Sequence, residues 1–291
     1  MGVVIATPVH EITDTAARTA AALKPAVAAE IEDRRVALPM LPEAAFAALQ
    51  LLSSPDPDFR TLSTLVHRDA ALATGLIRAA NSPAYYVGRK IVSIQQAIVR
   101  LGGRAVGEIV LAMAIEGKNA RVPGFEPEMR ALHEHGIITA VMAQEVARIR
   151  RGNVEEAFLG GLVHDLGRSV LIETVQKLCI RQRVPVDHAA VRLVADEFHQ
   201  RVGAMVGSSW SLPEPVVAAM GEHHHPRPLE DGGSELPHLI ALADMLAHRY
   251  RRDAEPDLAH PSMVALHIYA EDLQALFAAR ERLDARIGAF R

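Results

Sequence analysis

The stretch "FLGGLVHDLGRSVL", residues 158–171, sets an imidazole beside a carboxylate inside an apolar run. Burying His164 and Asp165 without partners is costly, because each gives up its hydration. Three readings follow: the pair binds a metal, it is a satisfied core pair, or it lies at a helix end. The rest of the chain has to discriminate among them.

The chain has 291 residues, enough to bury a substantial core in one large domain or two modest ones. Hydrophobic residues make up 49% but aromatics only 4%, so the core is built from Ala, Val, Leu, Ile and Met, which suits packed helices. A formal charge of −4 gives no general attraction for nucleic acid or anionic lipid. The cluster Arg148, Arg150, Arg151 is too short to change that and reads as a solvated helix end. Cys179 is the only cysteine, which excludes a disulfide framework and points to a reducing cytoplasm. No segment approaches the roughly 20 uncharged apolar residues of a membrane span, and no secretion signal opens the chain, so a soluble cytoplasmic protein is expected.

Working outward from the quoted stretch, helical periodicity recurs almost everywhere. "LPMLPEAAFAALQLL" sets Phe46, Leu49 and Leu52 at helical spacing behind Pro42. "PDPDFRTLSTLVHRD" restarts a helix with Asp58 as its cap. "DAALATGLIRAANSPAYY" places Leu72, Leu76 and Ile77 on one face and stops at Asn81-Ser82-Pro83. "SIQQAIVRLGG" runs from a Ser93 cap to a Gly102-Gly103 stop. After the polar break "KNARVPGFEPE" (118–128) come a long helix, then "NVEEAFLGGLVHDLG" opened by Asn153 and closed by Gly167. Further helices cover about 187–208 and 213–224, and "LPHLIALADMLAHRYR" supplies another. Strand alternation is not evident. The expected fold is all-α, with two packed helical subdomains: an arm at 1–36 interrupted by Pro25, a helical half at 37–120, a bundle at 121–251 and a helical extension at 252–291.

Several of the histidines fall where separate helices would meet. In order they are His135, His164 with Asp165, His199, His223-His224-His225 and, closing the set, Asp244. Imidazole nitrogens combined with carboxylate oxygens suit Mn, Fe, Co, Ni or Zn, and helical bundles converge such ligands from several helices. Asp244 within "ALADMLA" poses the same problem of a carboxylate on an apolar face. His67, His238, His248 and His267 read as surface or satisfied core residues. A structural origin for the buried groups stays open at this point.

The order His135…His164-Asp165…Asp244 resembles the HD superfamily of metal-dependent phosphohydrolases. "EHGIITAVMAQEVA" is similar to that family's first-ligand helix, with His133 as a competitor in poorer register. The added His199 and His223-His224 are similar to HD-GYP phosphodiesterases, which degrade cyclic di-GMP. A closer resemblance is to the HDOD domain, running from about 37 to 226. It is carried by the LP-x-LP start, the "NS-x-x-Y" turn, "SIQQAIVRLGGRAV", "EEAFLGGLVHDLGR" and "HQRVGAMVGSSWSLPEPVVAAMGEHHHP".

That resemblance implies an all-α bacterial module acting in signalling without catalysis, through contact with a signalling protein partner. It also implies one or two divalent ions held by His135, His164, Asp165, His199, His223, His224 and Asp244. A nucleotide or cyclic dinucleotide is the candidate small ligand, and direct nucleic-acid binding and membrane association are not expected. Arg168 stands where HD-GYP enzymes carry a phosphate-placing lysine, and the GYP loop is missing after His224. Arg201 and Arg227 are the other candidate phosphate contacts. The alternative class is a metal-dependent phosphohydrolase acting on a nucleotide or cyclic dinucleotide. Trp210 reads as a packing anchor between helices.

Overall fold

The computed structural model describes residues 14–53, 59–119 and 122–290, and within them the chain is helical with no strand. Helices α2 (Glu43–Ser53), α3 (Phe59–Arg68), α4 (Ala70–Ala80) and α5 (Ile94–Asn119) pack on one another as the first subdomain. The second is a bundle of α6 (Glu126–Arg150), α7 (Val154–Val163), α8 (Leu166–Gln182), α9 (His188–Ser209), α10 (Glu214–Glu222) and α11 (Glu235–Arg251). One continuous apolar core runs through both.

Local chemistry explains most helix ends. Asp69 accepts the backbone N–H groups of Ala71 at 2.8 Å and Leu72 at 3.1 Å, and Asn153 accepts that of Glu156 at 3.1 Å. Ser93 accepts from Gln96. Asn81 ends α4, its amide bonding the Ile77 and Ile91 carbonyls. At Gly102 the φ of 73° breaks α5 into two helical stretches, as the Gly-Gly pair suggested. The cap expected at Asp58 lies outside the described residues.

Four expectations need correction. Pro25 does not interrupt the arm: α1 (Asp14–Glu32) runs through it, because the proline ring sits on the exposed face while Leu23, Val27 and Ile31 are buried. Tertiary packing against α8 and α9 outweighs the lost hydrogen bond. In α2 the buried positions include Ala45, Ala47, Ala48 and Leu51, and Phe46 is exposed, because small alanines let α2 lie close on α5. The basic cluster is paired as well as solvated, Arg148 with Glu145 and Arg150 with Glu235, while Arg151 takes the left-handed cap with φ 57°. Last, Gly167 is no stop; it lies in the first turn of α8, a helix the sequence reading passed over.

The reason for that last correction is close packing. A Cβ at Gly167 would lie 2.0 Å from the carbonyl oxygen of His199, so the glycine lets α8 touch the backbone of α9. Gly161 does the same for α7 on α6, where a Cβ would meet the Ala140 Cα at 2.6 Å. The "GG" and "LG" of the quoted stretch therefore serve helix contact. They bring the α7–α8 junction, with His164 and Asp165 in it, to the middle of the bundle.

The C-terminal segment folds back onto this bundle. Helix α12 (Pro261–Ala265) packs on α11, and α14 (Arg280–Gly288), reached through α13 (Ala270–Ala278), packs on α6. Trp210 donates its indole N–H to the Pro39 carbonyl at 2.7 Å, tying the α9–α10 turn to the chain ahead of α2. It is partly buried against the apolar core, and the contact this bond makes is with a loop and not, as expected, with a second helix.

Candidate metal centre

Six helices or their ends deliver the seven residues that the sequence singled out. His135 lies in the middle of α6, His164 ends α7, and Asp165 precedes α8. His199 comes from α9, His223 caps α10 with His224 next to it, and Asp244 comes from α11. Asp165 occupies an N-cap position yet makes no capping bond with its side chain; the carboxylate turns toward the histidines instead. His135, His164, His199 and His223 are buried.

All seven converge. Their ligand atoms lie within 4.8 Å of one another in three overlapping groups: His199, His223 and His224; His164, Asp165 and His223; His135, His164 and Asp244. His135 Nε2 is 2.8 Å from Asp244 Oδ1, and Asp165 Oδ1 is 3.5 Å from His199 Nε2 and 3.7 Å from His223 Nε2. His133, the competitor, points away to Glu116 at 3.5 Å. His225 is exposed.

The hydrogen bonds fix which nitrogens are free. The Nδ1 atoms of His164, His199 and His223 lie 2.8, 2.8 and 3.0 Å from the carbonyls of Gly161, Asp196 and Ala219. A carbonyl only accepts, so each Nδ1 carries the proton and each Nε2 presents a lone pair. The Nε2 atoms of His199 and His223 then face each other at 3.4 Å with no proton between them. His164 Nε2 and Asp165 Oδ1 are buried and make no hydrogen bond; Arg168 Nε lies 2.9 Å from that oxygen as an ion pair but outside hydrogen-bonding geometry. Lone pairs and carboxylate oxygens directed at one another, unsatisfied, fit a divalent cation.

Protonation agrees with that donor set. Burial pushes the imidazoles of His164 and His224 down to about 4 and that of His199 to about 3, with Arg168 adding to the last. Burial works to raise the Asp165 carboxyl, but His164, His223 and Arg168 together hold it well below the usual range. Asp244 is likewise lowered against its burial, by the hydrogen bond and charge of His135. Neutral imidazoles and ionised carboxylates are the forms that bind metal.

Two clefts flank the cluster. One of about 520 Å³ is lined by His223, His224, Asp244 and His248, with Arg249 and Arg252 also on its wall. The other, about 370 Å³, is lined by His135, Asp165, Arg168, Arg192, His248 and Arg251. His248 is the residue sequence reasoning missed: its Nε2 lies 3.3 Å from Asp244 Oδ1, and its ring is 4.6 Å from that of His135. The available signal was its spacing of four from Asp244, one helical turn on the same face. His238, by contrast, is the satisfied core histidine it was read as, with Nε2 on the Arg227 carbonyl at 2.9 Å. Of the candidate phosphate contacts, Arg201 approaches Glu32 at 3.9 Å and Arg227 pairs with Glu222 at 3.0 Å.

Comparison with known proteins places the fold and the family. Among solved structures, an HDOD domain protein of unknown function from Geobacter sulfurreducens superposes with a TM-score of 0.66 at 21% identity, covering 92% of this chain and 97% of its own. A Shewanella amazonensis protein bearing the name metal-dependent phosphohydrolase superposes with a TM-score of 0.68 at 17% identity, covering 94% of this chain and 100% of its own. Both likenesses show the fold. An uncharacterized protein of Treponema pallidum is 24% identical over 227 residues, which is 75% of this chain but only 44% of that protein's length. The HDOD domain model matches residues 38–226, nearly the range that the motifs marked out, and the chain belongs to the HDOD domain family.

Proposed function

We propose that this HDOD chain is a non-catalytic regulatory module of the cytoplasm whose His/Asp centre holds one or two divalent ions and whose output is contact with a signalling partner. The observation that carries the non-catalytic part is the state of Arg168. Its Nε lies 2.9 Å from Asp165 Oδ1, its Nη1 is ion-paired with Asp196, and its Nη2 is 3.5 Å from His224 Nε2. The cation best placed to hold a phosphate beside the cluster is thus committed to the protein's own carboxylates. The residues that would hold the ions are His135, His164, Asp165, His199, His223, His224 and Asp244. A bound ion would supply Lewis acidity toward an anionic ligand and would tie together the six helices that carry these residues.

The contact part rests on the first subdomain. Tyr86, Val87 and Val99, each more than half exposed, line a concave face of about 730 Å³, and Val92 is exposed next to Ile91 of that face. The segment 84–100 carries Arg89, Lys90 and Arg100 and no carboxylate, in a chain whose formal charge is −4. Arg100 bonds the carbonyls of Ala80 and Arg89, so the face is braced before anything binds. An acidic, apolar-faced segment of a partner protein suits it.

The second reading is a metal-dependent phosphohydrolase acting on a nucleotide or cyclic dinucleotide, favoured by the clefts that open on both sides of the cluster. One assay separates the two. Protein loaded with Mn, Fe, Co, Ni or Zn should turn over neither cyclic di-GMP nor a nucleotide phosphoester. Turnover that disappears in a folded Asp165→Ala variant establishes the hydrolase instead.

A further inference from the structure

The hydrogen bonding of Asp244 cannot be the same with and without an ion. Its Oδ1 takes its closest contact from His135 Nε2, at 2.8 Å, and in that bond Nε2 carries the proton. A ligand nitrogen must instead present a lone pair, so His135 has to move its proton to Nδ1 when it binds metal. Asp244 Oδ1 then loses its donor. His164 Nε2 stands 3.9 Å away but is itself a bare lone pair, because its Nδ1 donates to Gly161. The other imidazole at this oxygen is His248, with Nε2 at 3.3 Å.

His248 is also well placed to take over. It lies one turn after Asp244 on α11, its ring is tilted 31° over that of His135 at 4.6 Å, and it lines both clefts. Its side chain is 55% exposed, so it can adjust toward the carboxylate without disturbing the core. We propose that His248 is a positioning residue of the metal centre: it donates to the Asp244 carboxylate and holds it in place once His135 has turned its Nε2 to the ion. The proposal rests on the reading of the cluster as an ion site. It adds a residue outside the seven and gives a reason for an exposed histidine at the junction of two clefts.

Cobalt(II) titration of the full chain, followed by visible absorption, tests it on wild type, His248→Ala and His248→Gln. The alanine variant should keep the wild-type cobalt stoichiometry and band positions but bind about 10–100-fold more weakly, the usual cost of losing a partner behind a metal ligand. The glutamine variant, whose amide still donates, should recover most of that affinity. Thermal midpoints of the chelator-stripped proteins should coincide, which shows that the alanine variant is folded. The proposal fails if alanine binds as tightly as wild type, if glutamine is as weak as alanine, or if alanine loses a cobalt equivalent or shifts the bands, which makes His248 a direct ligand. Wild type that takes up no cobalt overturns the ion site itself, a separate and recognisable result.

Discussion

His164 shows how a single buried imidazole is made into a waiting ligand. Its Nδ1–H goes to the Gly161 carbonyl one turn back, its Nε2 has no partner, and burial holds it neutral. Desolvation lowers the imidazoles of His199 and His224 as well, so the ion-free protein should depend on pH in a definite sense. Their folded pKa values, about 4, 3 and 4, lie below the unfolded value of about 6.5. The stabilisation is therefore complete above about pH 6.5 and is lost as pH falls toward 4, because the unfolded state takes up protons that the folded one refuses. Glu108, raised by burial, works in the opposite direction but is one group against three. Urea midpoints of chelator-treated protein should fall between pH 6.5 and 4.5, and saturating cobalt should move that fall to lower pH. A flat profile would mean that the histidines are not buried neutral. At this scale the sequence was informative where an ionisable residue sat in an apolar run, as at His164-Asp165 and Asp244. It was uninformative at His248, whose polar neighbours Arg249, Arg251 and Arg252 are those of any exposed helix end.

Between elements, the glycines of "FLGGLVHDLG" determine how near the helices come. Gly161 faces Ala140 on α6, and Gly167 faces the His199 carbonyl on α9. Both contacts are with backbone, which cannot step aside as a flexible side chain would. Gly161→Ala should therefore destabilise the fold by about 3 kcal/mol, from overpacking rather than from any change in helix propensity, since alanine is the better helix former. A lowered urea midpoint with an unchanged slope would show it, together with weakened cobalt binding as His164 is displaced. A stability gain would mean that α6 and α7 can separate at no cost. Helix periodicity and caps were readable in the sequence because they act over a few residues, as at Ser93 and Asn153. Helix α8 was not, because a glycine serving contact with a distant helix has the same letter as one that ends its own.

Across the whole molecule, the two subdomains and the C-terminal segment meet in a buried polar junction. Glu108 of α5 accepts from the Gln144 amide at 2.6 Å, and Gln144 and Glu145 lie on α6 two to three turns beyond His135. From α14, Arg286 bonds both Gln144 and Glu145, and Arg282 reaches Glu145 at 2.8 Å. The α14 and α6 partners are more than 130 residues apart in the chain, which is why the role of the C-terminal extension was invisible in the sequence: its charge pattern does not name its partner. Removing one arginine should leave buried acceptors short of a donor, and a broken buried pair is costly. Arg286→Met keeps the apolar stem and should still lower stability by about 3 kcal/mol, read from urea unfolding. The Arg286 charge works against the burial that raises the Glu108 carboxyl, so the same substitution should push it higher still. The double variant Arg286→Met, Glu108→Gln should then be more stable than the two single losses predict, because the neutral amide no longer needs the arginine. Strict additivity would mean that α14 lies on the bundle without joining it to the first subdomain, and that the junction is two separate pairs.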